Sequence, residues 1–287
     1  MTKELISLEN FSFSYGKKQV FDGLSLRFEP GYIYGVLGKN GTGKSTLFKN
    51  LTGLLKPCKG SIRTLGCNPW QRSPGLLSRI FLLPEEFHVP PIRIGEFARS
   101  LAPFYPDFDF LLLEELLKDF EIPADRAMNA MSLGQKKKCL ISLSLAVNTP
   151  LLLLDEPTNG LDILSKTQFK QILRRLSQNQ PRSILISTHQ VKDIQDVINR
   201  VTVLDSGRIL FDEPVEAILK RVRFGSGSEV PAGAVYAEPS ARGFDFILPG
   251  EAGQTGSLDM ELLYKLVMLD PEMAGKVFSP NPPGANP

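Results

Sequence analysis

Gly38-Lys39-Asn40-Gly41-Thr42-Gly43-Lys44-Ser45 decides the reading of this chain. Its spacing fits G-x-x-x-x-G-K-[ST], a loop whose inward-facing backbone N–H groups form an anion cradle. Ile33-Tyr34-Gly35-Val36-Leu37 before it reads as a buried strand. Ser45-Thr46-Leu47-Phe48-Lys49-Asn50-Leu51 after it reads as a helix. The glycines let the backbone curl, and the helix N-terminus adds partial positive charge at the same point. Lys44 is placed to reach outer phosphates and the Ser45 hydroxyl to sit on Mg2+, with Thr46 completing the phosphate-facing run.

Composition bounds the rest. At 287 residues the chain has room for about two domains, counting roughly 150 residues each. Hydrophobic residues at 42% and charged residues at 22% suit a globular chain with a sizeable core. The net charge of +2 gives no reason to expect nucleic acid as a partner. The longest apolar stretch, Cys139 to Leu154, is broken by Asn148 and Pro150 and falls short of the roughly 20 residues a membrane helix needs. Met1-Thr2-Lys3-Glu4 has no secretory pattern. Cys58, Cys67 and Cys139 are odd in number and form no metal-like or redox-like spacing, so reduced thiols in the cytoplasm are expected.

Outward from the loop, residues 5–15 and 20–28 read as strands. Another strand is expected over 61–65, and a short apolar one over 80–83 that ends at Pro84-Glu85-Glu86. About 88–147 carries helical spacing and reads as a helical insert. Strands at 151–154 and 183–187 alternate with helices near 165–177 and 191–199, before a hairpin around Ser206-Gly207. This alternation predicts an α/β fold with a parallel sheet covered on both faces. Gly225-Ser226-Gly227-Ser228 has flexible-linker composition and suggests a boundary near Arg223. The expected division is 1–222, a small α+β extension over 223–279 and a disordered tail over 280–287. The extension's helix is expected at 258–269 with Ser257 as N-cap.

Leu151-Leu152-Leu153-Leu154-Asp155-Glu156 supplies a second half to the site. A buried parallel strand delivers Asp155 to its C-terminal end, where ligands bind in such sheets. Asp155 suits Mg2+, and Glu156 suits orienting or deprotonating a water.

With these motifs the chain resembles the ATP-binding cassette (ABC) family, the motor subunits of ABC transporters, over roughly residues 3–220. The resemblance rests on the ordered set of the phosphate loop, Ser132-Leu133-Gly134-Gln135, Asp155-Glu156-Pro157-Thr158, Gly160-Leu161-Asp162 and Ser187-Thr188-His189. It implies a P-loop NTPase cassette with a RecA-like parallel-sheet core, an antiparallel β subdomain and a helical subdomain. It also implies that two subunits sandwich two ATP molecules. Residue by residue, it implies that Tyr15 stacks on adenine and that His189 contacts the γ-phosphate and helps position Glu156. Asp162 would pass across the dimer, and Ser132, Gly134 and Gln135 would face the partner's nucleotide.

Ser132 and Gln135 also fit an S-x-x-Q capping box. Lys136, Lys137 and Lys138 follow, and three cations in a first turn oppose the helix dipole, so they are expected beside solvent or phosphate. Two departures stand out. Leu133 replaces a usual glycine, and Glu85 replaces the glutamine that usually serves as Mg2+ contact and hinge between lobes. His88 matches nothing and is expected at the surface.

The resemblance therefore implies an ATPase that uses ATP and Mg2+, dimerises, and drives a separate transmembrane permease from the inner face of the membrane. Export is expected from a finer likeness to two-component exporters around Phe104-Tyr105-Pro106. The rival is a soluble cassette ATPase acting on nucleic acid or ribosomes. Against it, the chain has no long coiled coil between its two nucleotide motifs and room for one cassette only. A nucleotide-sensing scaffold is a third reading, opposed by the intact Lys44, Asp155, Glu156 and His189. At least two of Phe87, Val89, Phe104 and Tyr105 are expected to be exposed, as anchors for a short helix of the permease.

Overall fold

The alternating N-terminal stretches form β1 (Ile6–Tyr15) and β2 (Lys18–Phe28), an antiparallel pair. β3 (Ile33–Leu37) runs into the phosphate loop and α1 (Lys44–Leu51) leaves it. β4 (Lys59–Thr64) returns to the other edge of β1, giving a small antiparallel sheet in the order β2-β1-β4. The architecture is that of a computed structural model, which describes residues 4–179, 182–241, 243–250 and 257–278.

A short helix, α2 (Pro74–Leu77), precedes β5 (Ile80–Leu83). The expected helical insert follows as α3 (Ile94–Leu101), α4 (Phe110–Asp119) and α5 (Leu133–Ala146). The chain then returns to the main sheet through β6 (Leu151–Asp155), α6 (Ile163–Asn179) and β7 (Ser183–Thr188). The hairpin β8 (Arg200–Asp205) and β9 (Arg208–Pro214) closes it. The six strands lie in the order β5-β6-β7-β3-β8-β9, parallel except for β9.

Every residue of β3, β6 and β7 is buried, as expected of strands covered on both faces. Side chains alternate between the two layers. Leu151, Leu153 and Leu185 pack with Phe11, Phe28, Phe48 and the antiparallel sheet. Leu152, Leu154, Ile184 and Ile186 pack with α5 and α6 through residues such as Ile141, Leu145 and Phe169.

Three expectations are corrected. The segment 191–199 is not a regular helix. It is a single 3-10 turn, Val191–Asp193, followed by turns. Its apolar side chains press directly on the sheet, so that a Cβ on Gly35 of β3 would stand 2.7 Å from Ile198 Cδ1. Asn199 is pinned to β3 in both directions, its Oδ1 accepting from the Ile33 N–H at 2.8 Å and its own N–H donating to the Ile33 carbonyl at 3.0 Å.

The supposed linker is a strand. After α7 (Val215–Arg221), β10 (Val222–Gly227) carries Gly225 and Gly227 opposite Phe246 and Phe244. A Cβ on Gly225 would meet the Phe246 ring at 2.7 Å, so this glycine serves ring packing rather than flexibility. β11 (Tyr236–Ser240) and β12 (Gly243–Pro249) complete a sheet in the order β10-β12-β11. The helices α8 (Met260–Leu269) and α9 (Pro271–Phe278) follow. The N-cap of α8 is Asp259, whose carboxylate accepts from the Leu262 N–H at 3.0 Å, rather than Ser257.

Ile247, Leu263, Leu266 and Phe278 belong to the same buried cluster as α5 and β7, so the extension shares the cassette's core. The expected tail at 280–287 lies outside the described residues.

Candidate active site

β3 sets the loop against the sheet, where the Gly38 N–H donates to the Thr188 carbonyl at 3.4 Å. A Cβ at Gly38 would lie 2.4 Å from the Leu204 carbonyl oxygen, a clash with backbone that no rotamer relieves. Gly43 caps α1 with φ 109°, where an added Cβ would strike the Phe21 ring at 2.8 Å. Sequence and fold thus leave only glycine at both positions, and the helix start opens toward the loop with no side-chain cap of its own. Thr42 Oγ1 donates to the Lys39 carbonyl at 2.9 Å and stiffens the turn.

Lys44 is folded back into this cradle. Its Nζ donates to the carbonyls of Gly38 at 2.7 Å and Lys39 at 3.1 Å, and sits 3.3 Å from Glu156 Oε1. The side chains of Lys44 and Glu156 are only 6% and 3% exposed. A buried charge needs such partners, so the pair neutralises itself where phosphate would otherwise bring the negative charge.

Glu156 follows β6 in a left-handed backbone conformation, φ 46°, which a non-glycine residue rarely adopts. It is held there by its N–H, which bonds the Ser187 carbonyl and hydroxyl, both at 3.1 Å. Ser187 Oγ in turn donates to Asp155. His189 follows β7, its N–H donating to Glu156 Oε2 at 3.4 Å, and its Nδ1 lies 3.0 Å from Oε1. That last approach is close but misaligned, and Oε1 has no well-formed hydrogen bond although it is buried. A carboxylate oxygen with spare acceptor capacity, facing a histidine, is the arrangement that orients a water.

A cleft of about 280 Å3 runs along this cradle, lined by Tyr15, Asn40, Gly41, Gly43, Lys44, Ser45, Thr46, Glu85 and Glu156, together with Lys18 and Val20. Tyr15 stands at its mouth, 47% exposed, its hydroxyl 3.5 Å from Thr46 Oγ1 and its ring edge-on to Phe13. Of the residues expected to face nucleotide, Tyr15, Asn40, Gly41, Gly43, Lys44, Ser45 and Thr46 thus share one cleft, whereas Gly38, Lys39 and Thr42 do not line it. Ser132, Gly134, Gln135 and Asp162 do not line the cleft. Ser132, Gly134 and Gln135 share the start of α5, where a Cβ on Gly134 would lie 3.5 Å from the carbonyl oxygen of Gly160, two residues before Asp162. The capping box forms as expected. Gln135 N–H donates to Ser132 Oγ at 3.2 Å, and Ser132 N–H to Gln135 Oε1 at 3.1 Å. Asp162 opens α6 by accepting from the Ser165 N–H and hydroxyl, both at 2.8 Å, and these bonds hold its carboxyl below the usual range.

Ser45, Asp155 and Glu85 were expected at the metal. Among the described residues no group of three or more His, Cys, Asp or Glu side chains forms a cage for an ion. Oxygen donors without a cage fit Mg2+, which binds through one or two protein groups plus substrate phosphates. Glu85 Oε1 here accepts from Asn159 Nδ2 at 3.0 Å, and Asn159 Oδ1 accepts from Gln190 Nε2 at 3.4 Å. Glu85 is thereby linked to the loop after β6 and to the residue next to His189.

One expectation about the surroundings fails and another is narrowed to its non-solvent half. Of Phe87, Val89, Phe104 and Tyr105, only Phe104 is exposed, at 68%. The other three are half-buried, and Tyr105 packs edge-on against Phe81. Lys137 does not face solvent but is 3% exposed, its Nζ 5.4 Å from the centroid of the Phe87 ring. Burial pulls its pKa down, while Glu85, Asp155 and Glu156 pull it up. The signal available in the sequence was spacing: Lys137 stands three residues before Leu140 and four before Ile141, both buried on α5. His88 is exposed, as expected.

With this geometry in hand, the relatives are informative. The ABC transporter family profile matches residues 21–159. The chain is 30% identical over 206 residues to the ABC transporter ATP-binding protein YtrB of Bacillus subtilis (strain 168), covering 71% of this chain and 70% of that one. It is 32% identical over 219 residues to the high-affinity zinc uptake system ATP-binding protein ZnuC of the same organism, covering 71% and 92%. Among solved structures, the ATP-binding subunit of an ABC transporter superposes with a TM-score of 0.66 at 24% identity, over 75% of this chain and 91% of that one, and so shares the fold. Identity of this extent, over most of both sequences, carries more than fold, and the chain belongs to the ABC transporter family as an ATP-binding ATPase cassette.

Proposed function

We propose that this chain is the motor of a bacterial-type ABC exporter, a cassette that dimerises around two ATP molecules and drives a separate permease. The observation that carries the reading is the split of the site. Lys44, Ser45, Glu156 and Tyr15 line one cleft, while Ser132, Gly134 and Gln135, at the start of α5 beside the Gly160 carbonyl, and Asp162 lie outside it. A second copy would bring its signature helix, with the N-terminal dipole of α5, over the phosphates of the first. No helix among the described residues is long and apolar enough to cross a membrane; on the family reading, a separate permease would hold the cassette at the inner face. Export is the direction we assign, on the likeness to two-component exporters.

The chain's own residues divide the work. Gly41 leaves room for phosphate oxygens against the backbone, while Gly38 and Gly43 let the loop pack closely on Leu204 and Phe21. Lys44 turns from the loop carbonyls and Glu156 to the outer phosphates. Ser45, Asp155 and Glu85 are the groups that would hold Mg2+, whose charge offsets that of the phosphates and fixes their orientation. Glu156, released from Lys44, accepts a proton from the attacking water or orients it, and His189 steadies Glu156 and the γ-phosphate. Tyr15 offers a ring face to adenine.

The test is Glu156→Gln. It should abolish turnover, keep ATP binding and trap a dimer on size-exclusion chromatography with ATP. A variant that stays monomeric at every ATP concentration, or that hydrolyses ATP at the wild-type rate, refutes the reading.

A further inference from the structure

We propose that α8 of the extension is a positioning element of the catalytic site, setting the place of His189 through an ion pair between Lys192 and Glu261. The inference rests on reading His189 as the residue that steadies Glu156.

The segment after His189 has little backbone structure of its own. Its single 3-10 turn is closed by the Asp193 N–H on the Gln190 carbonyl at 3.1 Å and the Ile194 N–H on the Val191 carbonyl at 3.4 Å. So short a run makes few and poorly aligned hydrogen bonds, and side chains must fix its place. Val191 and Ile194 are buried in the shared core. The two charged residues of the turn are divided between different parts of the fold. Asp193 pairs with Lys166 of α6 at 2.7 Å, and the same ammonium donates to Gln190 Oε1 at 3.0 Å. Lys192 pairs instead with Glu261 of α8, and α8 itself packs against the turn.

Contacts run on from this pair in both directions. Glu261 meets Lys265 one helical turn on at 3.1 Å, and Lys265 reaches Glu238 of β11 at 2.8 Å. On the other side, His189 stands three residues before Lys192, with its N–H 3.4 Å from Glu156 Oε2 and its Nδ1 3.0 Å from Oε1. A lone pair at so exposed a lysine would count for little. Here the charges alternate in a network along a helix that already touches the turn, and hydrogen bonds from Lys192 and then Lys265 hold the Glu261 carboxyl below its usual range. The turn is thus gripped at adjacent residues by α6 and by α8. Without the second grip it can shift about the first and carry His189 with it. Lys192 and Glu261 do not line the nucleotide cleft and act only through His189.

The extension shares the cassette's core, so the test keeps the full chain. The variants are Glu261→Lys, Lys192→Glu and the two together, which exchange the charges. The chain has only two histidines, and His88 is exposed. The His189 Cε1–H resonance can therefore be followed by NMR without nucleotide, with His88 as internal reference. Each single variant should move the His189 resonance and lower kcat for ATP about twofold to fivefold, while KM stays within about twofold. The exchanged pair should bring the resonance and kcat back to near wild type, which damaged packing alone would not allow. If Glu261→Lys fails to fold, Lys192→Glu, at the more exposed position, reads the same coupling. A His189 resonance that stays in place in the single variants overturns the proposal whatever the rate does, and so does one that remains displaced in the exchanged pair. A resonance that moves and returns while hydrolysis never changes supports the positioning and counts against the catalytic part given to His189.

Discussion

In the nucleotide-free protein, Lys44→Ala should destabilise the fold as well as remove a phosphate ligand. The Nζ to Oε1 separation is 3.3 Å between side chains that are 6% and 3% exposed. At an effective dielectric constant of about 20, that separation corresponds to a gross attraction of about 5 kcal/mol, offset by the cost of desolvating both groups. Removing one partner of such a pair strands the other and typically costs about 3–5 kcal/mol. Here the low end is expected, because His189 still offers Glu156 its N–H at 3.4 Å. Glu156→Gln should cost less, about 1 kcal/mol, since Lys44 keeps its two carbonyl acceptors and the amide remains polar. The double variant should then be more stable than Lys44→Ala alone, because no carboxylate is left stranded.

Equilibrium urea unfolding of the three variants, without nucleotide, measures all of these differences. A loss below about 0.5 kcal/mol for Lys44→Ala, the range of an ordinary surface change, would show that the pair is not buried in solution. Strict additivity would show that the two charges do not feel each other.

Other outcomes are open to measurement. Glu85→Gln should raise the Mg2+ concentration for half-maximal hydrolysis, because a carboxylate binds a hard cation more strongly than an amide; an unchanged titration places Glu85 outside the coordination shell. Gly43→Ala should abolish ATP binding and destabilise the protein by at least about 1 kcal/mol, since φ 109° is closed to alanine; calorimetric binding at wild-type affinity would refute it. Gly225→Ala should destabilise the extension by about 1–3 kcal/mol through overpacking on Phe246, visible as a lower urea midpoint; a flexible linker would give no change. Cys58 and Cys67 are exposed and should react with a thiol reagent in the native protein. Cys139 is buried with its pKa pushed up to about 12, and should react only on unfolding. Three fast thiols would contradict the packing of α5.

The parts of the site that were legible in the sequence are those fixed by backbone conformation and by strand ends. Glycines at the phosphate loop, an apolar strand ending in Asp155-Glu156 and an S-x-x-Q helix start each carry their geometry locally. The parts that were not legible depend on what packs against them. Gly225-Ser226-Gly227-Ser228 has the same composition whether it is a linker or a strand; only Phe246, about twenty residues away, makes it a strand. The segment after His189 has helical spacing, but Asn199 and the Ile194 and Ile198 side chains are drawn onto β3 and leave one turn of 3-10 helix. Lys137 was expected beside solvent or phosphate because cations in a first turn oppose the helix dipole; the solvent alternative falls to packing from outside its own helix, where its Nζ lies over the Phe87 ring.

These features have a common electrostatic consequence. A site built to hold the negative charge of phosphates must remain folded when none is bound. Here the cations meant for phosphate are occupied by the protein's own acceptors, with Lys44 on loop carbonyls and Glu156. Nucleotide binding is then an exchange in which Lys44 leaves one anion for another, and the anion it leaves is the residue proposed to activate water. Glu156 would be neutralised while the site is empty and freed as phosphate arrives, with its backbone already held at φ 46° by Ser187.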